Sequence, residues 1–261
     1  MSILDQIIRD KKTEVQLRKS LIPESSLEGF GLFDRPTTSM RNSLKARNTG
    51  IIAEHKRRSP SKAIINQKGS VSEIVSGYSK AGAGAISVLT DGKYFGGSLD
   101  DLLLARASTS LPLLRKEFII DAYQILEAKA YGADAILLIA AVLTKEELQS
   151  LCSSAHALNL EVLLEVHSKK ELEFSLHAGA DLIGVNNRNL KTFEVSLDIS
   201  RELCHLIPDA VGKISESGLG DPMELKELKQ LGYEGFLMGE TFMKTADPGN
   251  ALREFLKKTE G

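Results

Sequence analysis

Gly132-Ala-Asp-Ala-Ile136 is one of four stretches in which a glycine is followed at once by a short apolar run. The others are Gly82-Ala-Gly-Ala-Ile86, Gly179-Ala-Asp-Leu-Ile183 and Gly232-Tyr-Glu-Gly-Phe236, so the pattern returns about every 50 residues. Such a glycine is typical of the left-handed cap of a helix, and the apolar run after it is typical of a strand buried on both faces. The pattern therefore predicts repeated units in which a helix leads into a buried strand.

Further apolar runs lie between these repeats, and Ile51-Ile-Ala53 begins the series. The sequence thus predicts eight strands, separated by helical patterns, at about 51–55, 85–89, 112–116, 135–139, 161–166, 182–186, 211–215 and 235–239. In one helical pattern, residues 121–131, Asp121 is the expected N-cap. Eight alternating units favour a closed (β/α)8 TIM barrel of the α/β class over an open doubly wound sheet. An open sheet would usually carry a GxGxxG turn, and none follows the first strand.

The first part of the chain lies outside this repeat. Ser2 and Asp5 have the spacing of a capping box, and one helical face is expected to carry Ile3, Leu4, Ile7 and Ile8. Residues 21–37 are expected to form a loop and residues 38–46 a second short helix. We interpret residues 1–48 as a helical extension packed on the barrel of residues 49–261, the two forming a single domain.

The composition is that of a soluble protein. With 42% hydrophobic residues the chain can bury a large core, and its formal net charge of -2 gives no basic excess that would indicate nucleic acid as a partner. Charged residues among the first dozen positions predict no signal peptide, and no apolar run approaches the ~20 residues of a membrane span. Cys152 and Cys204 lie in helical patterns and are expected to be buried thiols. We expect a cytoplasmic monomer, or a weak homodimer, without nucleic-acid or membrane partners.

Polar side chains end several of the predicted strands, where the active site of such a barrel is built. Glu54 and Lys56 end the first strand on one face, where they form either an ordinary salt bridge or a ligand site. The serines of the following loop, Ser59 and Ser61, suit an anionic group. Lys116 ends the third strand among apolar neighbours, which predicts a lowered pKa and a better proton donor, unless its side chain extends to the rim.

The fifth strand ends in Glu165, whose pKa is expected to be either raised by burial or held down by a lysine; both suit a general base. His167 follows it and is expected to open the next helix. The five histidines show no ligand spacing, so no metal site is predicted.

The last three strands end in residues suited to binding. Asn186 and Arg188 share a face after the sixth strand and can clamp a carboxylate or hydroxyl. Small residues follow the seventh and eighth strands, at Glu216-Ser217-Gly218 and Gly239-Glu240, where backbone N–H groups can approach a phosphate. The alternative is that these glycines only form turns. Together the strand ends predict one cleft with lysines, carboxylates and a phosphate cradle.

Several motifs resemble the indole-3-glycerol-phosphate synthase family over nearly the whole chain. They are Ala53-Glu-His-Lys-Arg-Arg-Ser-Pro-Ser-Lys62, Ile86-Ser-Val-Leu-Thr-Asp91, Tyr94-Phe-Gly-Gly-Ser98, Leu113-Leu-Arg-Lys-Glu-Phe-Ile-Ile-Asp121, Gly184-Val-Asn-Asn-Arg-Asn-Leu190 and Ser215-Glu-Ser-Gly218. The sequence departs from the family pattern at His55, where an aliphatic residue is usual, and at Ala63, where the loop usually has glycine.

The resemblance implies a carboxy-lyase of tryptophan biosynthesis that needs no metal or organic cofactor. Its small-molecule phosphosugar substrate would be 1-(2-carboxyphenylamino)-1-deoxyribulose 5-phosphate, which loses CO₂ and water as the indole ring closes. Lys116 would be the general acid and Glu165 the base of the dehydration. Lys56 would hold the substrate carboxylate and share acid duty, with Glu54 orienting it. The remaining candidates are Asn186 and Arg188 for polar groups; Ser59, Ser217, Gly218, Gly239 and Glu240 around the phosphate; Ser61 and Glu216 for the substrate or its phosphate; and Phe95, Phe118 and Leu190 for the aryl ring.

Two alternatives stay open at this stage. A related phosphosugar barrel, such as phosphoribosylanthranilate isomerase, would need a cysteine or similar acid/base partner at a strand end, and neither cysteine falls at one. A phospholigand-binding barrel without catalysis would not need Glu54, Lys56, Lys116, Glu165 and Asn186.

Overall fold

Each of the four glycine-led stretches enters a strand, and the strands close into one parallel barrel in sequence order. The computed structural model describes residues 2–47, 50–190 and 192–260. The strands are β1 (Ile51–His55), β2 (Ala85–Leu89), β3 (Leu113–Lys116), β4 (Ala135–Ile139), β5 (Glu161–Val166), β6 (Leu182–Asn186), β7 (Gly212–Glu216) and β8 (Gly235–Met238). β8 pairs with β1 through Ile51 opposite Phe236 and Ala53 opposite Met238, which closes the barrel. The predicted fold is confirmed.

Helices lie between the strands and before the first of them. They are α1 (Ile3–Leu21), α2 (Glu24–Glu28), α3 (Met40–Lys45), α4 (Val71–Ala81), α5 (Gly92–Phe95), α6 (Leu99–Ser108), α7 (Ala122–Ala130), α8 (Lys145–Ala157), α9 (Lys169–Ser175), α10 (Asp198–Leu203), α11 (Pro222–Gln230), α12 (Glu240–Met243) and α13 (Pro248–Glu260). A 3₁₀ turn covers Ala140–Val142. The predicted cap at Asp121 forms a full capping box with Gln124. None of the described helices is long and apolar enough to cross a bilayer.

Four strand boundaries, on three strands, differ from the prediction by one residue. β3 begins after Pro112, which has no N–H to donate to a ladder, although its carbonyl accepts from Ile86. β7 begins and ends one residue later than predicted and so includes Glu216. β8 ends before Gly239, where the backbone leaves the extended conformation at φ -124° and ψ -66°.

Two apolar layers hold the barrel together. The larger layer fills the space between the strands and the outer helices, and the smaller one fills the barrel interior. Met40 and Leu44 of α3 belong to the interior layer and are fully buried. Ser43 of the same helix donates to the carbonyl of Gly84, just before β2. The helix predicted over residues 38–46 therefore plugs the amino-terminal end of the barrel, opposite the strand ends that carry the polar residues.

The first helix is tied to the carboxyl end of the barrel by a buried lysine. Nζ of Lys11 lies 3.0 Å from Asp91 and 3.1 Å from Glu117, and its side chain is only 2% exposed. The capping box of Ser2 and Asp5 is present at the start of α1. The prediction of a loop throughout residues 21–37 was wrong, because Leu27 is buried and anchors the short helix α2.

The proposed division of the chain into an extension and a barrel stays a prediction. Its boundary, between residues 48 and 49, lies outside the described residues.

Candidate active site

A cavity of about 400 Å³ opens at the carboxyl ends of the strands. Every candidate site residue named from the sequence lines it: Glu54, Lys56, Ser59, Ser61, Phe95, Lys116, Phe118, Glu165, Asn186, Arg188, Leu190, Glu216, Ser217, Gly218, Gly239 and Glu240. The residues come from loops and strands spread over most of the chain, and the barrel brings their side chains to one place. The structure thus places the whole predicted set in one cavity.

Lys116 lies between two carboxylates at the bottom of this cavity. Its Nζ is 2.5 Å from Oε2 of Glu216 and 3.1 Å from Oε2 of Glu165. Both glutamates are almost fully buried, at 1% and 4% exposure. Because water screens these charges poorly, the lysine is held by strong attraction to both strands.

The prediction of a lowered pKa for Lys116 was wrong. Burial does act to lower it, but the carboxylates of Glu216 and Glu165 outweigh burial and raise the pKa of Lys116 above its ordinary value. The sequence placed apolar residues beside the lysine on its own strand, whereas its close partners come from β5 and β7. An ammonium in this environment is fully charged at neutral pH.

The two glutamates differ in their proton affinity. Burial would raise the pKa of Glu165, but Lys116 and His167 outweigh it and hold the pKa well below its usual range. For Glu216, burial and the neighbouring charge of Glu165 prevail over Lys116 and raise the pKa to about 7. At neutral pH the site therefore contains one permanently ionised carboxylate and one that takes up and releases a proton.

Glu54 and Lys56 form the ion pair that the strand pattern allowed. Oε1 of Glu54 is 2.6 Å from Nζ of Lys56. A Cβ atom at Gly239 would lie 2.5 Å from the same Oε1, so glycine is needed at 239 for Glu54 to occupy this position. A glycine after β8 thus shapes the side of the cavity that carries Glu54 and Lys56, in addition to any contact its backbone makes with a ligand.

Asn186 connects the end of β6 to Glu165. Its Oδ1 accepts from the backbone N–H of Arg188 at 3.0 Å, and its amide lies near enough to the Glu165 carboxylate to help lower the pKa of that group. The guanidinium of Arg188 donates to the carbonyl of Phe193 at 3.2 Å and also lines the cavity. The amide therefore favours the ionised form of Glu165, while the guanidinium is held close enough to the cavity to meet a polar ligand group.

One wall of the cavity is apolar and aromatic. The rings of Phe95 and Phe118 lie 5.9 Å apart between centroids and are inclined by 43°. Leu190 lines the same cavity, and so do Ile3, Leu4 and Ile7 of α1. The first helix was expected only to pack on the barrel, and its contribution of an apolar wall was not predicted. A flat apolar group fits between such surfaces.

Cations surround the loops after β1, β7 and β8. Lys62 forms an ion pair with Glu240 that joins the first loop to the last. Burial would raise the pKa of Glu240, but Lys62, Lys56 and Arg188 lower it. The hydroxyls of Ser59 and Ser61 are 3.2 Å apart on the same loop as Lys62. This side of the cavity is electropositive enough to hold an anionic group that replaces or joins Glu240.

The turn after β7 has an unusual backbone that a buried asparagine holds in place. Ser217 and Gly218 have φ angles of 67° and 75°, and a Cβ at 218 would lie 2.3 Å from Val195. The amide of Asn187 donates to the carbonyls of Glu216 and Ser217, at 3.0 and 3.1 Å. The sequence did not single out Asn187, although strand alternation places it opposite Asn186, where an amide needs buried partners.

Comparison with known proteins assigns the chain to a family. Residues 4–255 match the family model described as indole-3-glycerol phosphate synthase. The chain is 49% identical over 256 residues to the protein of that name from Bacteroides thetaiotaomicron, covering 98% of both. It is 41% identical over 261 residues to the protein of that name from Carboxydothermus hydrogenoformans, covering 97% of this chain and 99% of the other.

Among solved structures, 3-hexulose-6-phosphate synthase from Salmonella typhimurium matches with a TM-score of 0.63 at 12% identity, covering 81% of this chain and 98% of that one; this similarity concerns the fold alone. The family model and the two relatives span almost all of the chain, and on that basis the chain belongs to the indole-3-glycerol phosphate synthase family.

Proposed function

We propose that this chain converts 1-(2-carboxyphenylamino)-1-deoxyribulose 5-phosphate into indole-3-glycerol phosphate, with release of one CO₂ and one water. Membership of the family makes the chain a carboxy-lyase of tryptophan biosynthesis. The observation that carries the proposed mechanism is the position of Lys116, charged and partly buried between Glu165 and Glu216 beside an apolar aryl pocket. The ring carbon that bears the carboxylate attacks the ketone, and a proton must reach the ketone oxygen as it gains negative charge.

Lys116 is the general acid of ring closure in this proposal. Its ammonium is held in one position by two anions, which favours transfer of a proton along a fixed direction. A raised pKa weakens the driving force for donation in the free protein. Substrate that displaces either carboxylate from Nζ removes part of the attraction that raises this pKa, and so makes the lysine a stronger acid when the substrate is bound.

Glu165 is the general base of the dehydration. Its lowered pKa, to which Asn186 contributes, keeps it unprotonated at neutral pH. Glu216 shares the ammonium of Lys116 and has a pKa of about 7, so it can return a proton to the lysine after turnover. The sequence had grouped Glu216 with the phosphate contacts, and its distance to Lys116 supports a role beside the acid instead.

Lys56 binds the carboxylate that leaves as CO₂, and Glu54 holds Lys56 and a substrate hydroxyl. The 2.6 Å ion pair between them supports this assignment, since it holds the ammonium at the wall of the cavity. As a cation beside the ketone, Lys56 can share acid duty with Lys116. Phe95, Phe118 and Leu190 enclose the aryl ring.

The phosphate lies among the loops after β1, β7 and β8. The contacts proposed for it are the hydroxyls of Ser59, Ser61 and Ser217 and the backbone at Gly218, Gly239 and Glu240. Arg188 and Asn186 contact the polar groups of the sugar chain. Cytoplasmic location and a monomer or weak homodimer are further parts of the proposal that rest on the sequence alone.

The test is direct incubation of the full chain with the substrate, without added metal, while indole fluorescence and CO₂ are followed. We expect both to appear in equal amounts. A folded sample that binds the substrate and releases neither product would overturn the proposal and favour a phospholigand-binding barrel. The isomerase alternative is disfavoured because Cys152 and Cys204 are buried in the helical layer and do not line the cavity.

A further inference from the structure

A buried histidine stands between Glu165 and a second carboxylate. Nε2 of His167 is 3.2 Å from Oε1 of Glu165, and its Nδ1 is 3.2 Å from Oε2 of Glu171. The backbone N–H of His167 also donates to Glu171, at 2.8 Å. The side chain is 8% exposed, so its ring is held by these two anions at the junction of β5 and α9.

The charge state of this ring follows from its neighbours. Both ring nitrogens face a carboxylate oxygen, and a neutral imidazole would turn a lone pair toward one of them. Only the doubly protonated ring presents an N–H to each anion. Among the described residues Nε2 has no well-aligned hydrogen bond, so its contact with Glu165 is an ion pair. In agreement, the two glutamates outweigh burial and raise the pKa of His167 to about 10.

The two oxygens of Glu165 therefore meet different cations. Oε2 faces Lys116 and Oε1 faces His167, while the amide of Asn186 also helps to lower the pKa of this carboxyl group. Further charged groups among the described residues are Glu171 beyond the imidazole, and Glu216 and Glu54 beyond the lysine. When Lys116 gives its proton to the substrate, Glu165 loses one of its two cations, and the imidazolium is the one that stays.

We propose that His167 is a positioning residue for Glu165: its buried imidazolium holds Oε1 and keeps the carboxylate unprotonated through the step in which Lys116 releases its proton. Without this second cation, the proton of Lys116 could pass to Glu165 across 3.1 Å instead of reaching the ketone, and the base would enter dehydration already protonated. The inference rests on the proposed role of Glu165 as base.

The experiment compares His167→Asn with His177→Asn, which removes an exposed histidine from the turn after α9. For His167→Asn we expect kcat to fall about tenfold to a hundredfold, with little change in KM. The acidic limb of kcat against pH should also move upward by about one pH unit or more, because Glu165 has lost a cation. A purely structural role would lower the melting temperature without moving that limb. Parental kcat and an unmoved limb would overturn the inference.

Two further variants keep the test decisive. Glu171→Gln leaves the imidazole of His167 in place and removes one of the two anions that keep it protonated. The fall in kcat at alkaline pH should therefore begin at lower pH than in the parent. An unchanged alkaline limb would contradict the inference even if His167→Asn fails to fold. Glu165→Gln tests the underlying role. If that variant keeps parental turnover, the proposed base is wrong. If it is inactive while His167→Asn is parental, only the role of His167 fails.

Discussion

Oε2 of Glu216 lies 2.5 Å from Nζ of Lys116, although 100 residues separate them along the chain. This contact joins the ends of β3 and β7, and it shifts the pKa values of both side chains. Burial and the charge of Glu165 raise the pKa of Glu216 to about 7, and the ammonium of Lys116 limits that rise. Near pH 7 this carboxyl group is therefore about half protonated, whereas most other carboxyl groups are fully ionised at that pH.

Removal of the ammonium should raise the pKa of Glu216 further. In Lys116→Met we expect it to titrate above 7, because the one favourable charge is gone while burial and Glu165 remain. Carbon NMR of labelled glutamate side chains measures this, with Glu216→Gln identifying the signal. Titration of Glu216 near its ordinary value in the parent, or at the same pH in both proteins, would show that the two groups are not coupled.

Gly239→Ala should damage catalysis with little loss of stability. The added Cβ would lie 2.5 Å from Oε1 of Glu54, so the carboxylate and its partner Lys56 must move. We expect kcat/KM to fall roughly tenfold or more, since small displacements of catalytic groups are costly. Gly220→Ala is the matched control, because a Cβ there meets no atom within 4 Å. Equal kinetics for the two variants would refute the steric role of Gly239.

Lys11→Met should destabilise the protein. Asp91 and Glu117 are almost fully buried, and removal of the ammonium between them leaves two carboxylates with less compensation. We expect a loss of about 3 kcal/mol or more in the free energy of unfolding, measured with urea. The neighbouring exposed Lys12 provides the control variant Lys12→Met. If both variants unfold at the same urea concentration, Lys11 does not anchor α1 as described.

His55 should make the protein sensitive to mild acid. Burial, aided by Arg57, lowers its pKa from 6.5 to about 4, and its Nε2 has no hydrogen-bond partner among the residues that the structure describes. Between pH 6.5 and pH 4 the imidazole of His55 binds a proton in the unfolded chain but not in the folded one. The stability that depends on neutral His55 is therefore complete above pH 6.5 and is lost as the pH falls to 4. The loss amounts to about 3 kcal/mol.

His55→Leu removes this titration. The unfolding free energy of the variant minus that of the parent should therefore be about 3 kcal/mol larger at pH 4 than at pH 7. Urea unfolding at several pH values measures the difference. A difference between parent and variant that does not change with pH would contradict the assignment.

Periodicity along the chain predicted most of the fold, and strand ends together with the family resemblance predicted residues that the structure brings to one cavity. Glycine-led apolar runs located the strands, and alternation along a strand placed Glu54 with Lys56 and identified Lys116 and Glu165, because these patterns are local. The same reasoning failed for the pKa of Lys116, since its partners come from strands that are 49 and 100 residues away. Pairing between distant strands is set by barrel closure, which local sequence does not encode residue by residue.

Besides Asn187, both Lys11 and His167 were missed, and for related reasons. Lys11 lies between Ile7 and Val15 on the buried face of α1. A lysine at this i+4 spacing among buried residues indicates a buried anionic partner, but the partner itself comes only from the folded barrel. His167 was assigned to the start of a helix, and Ser168 does cap α9 directly after it. Its second contact, with Glu165, depends on how the strand end meets the helix.

The central claim is that Lys116 is the acid that closes the ring, and single-turnover cyclisation by Lys116→Met tests it most directly. The comparison is with the parent and with Lys80→Met, which removes an exposed lysine of α4 that does not line the cavity. We predict a folded Lys116→Met protein that cyclises the substrate roughly 10²–10⁴-fold more slowly than the parent, whereas Lys80→Met keeps most of its cyclisation rate. Cyclisation by folded Lys116→Met at a near-parental rate would contradict the claim and move the acid role to Lys56.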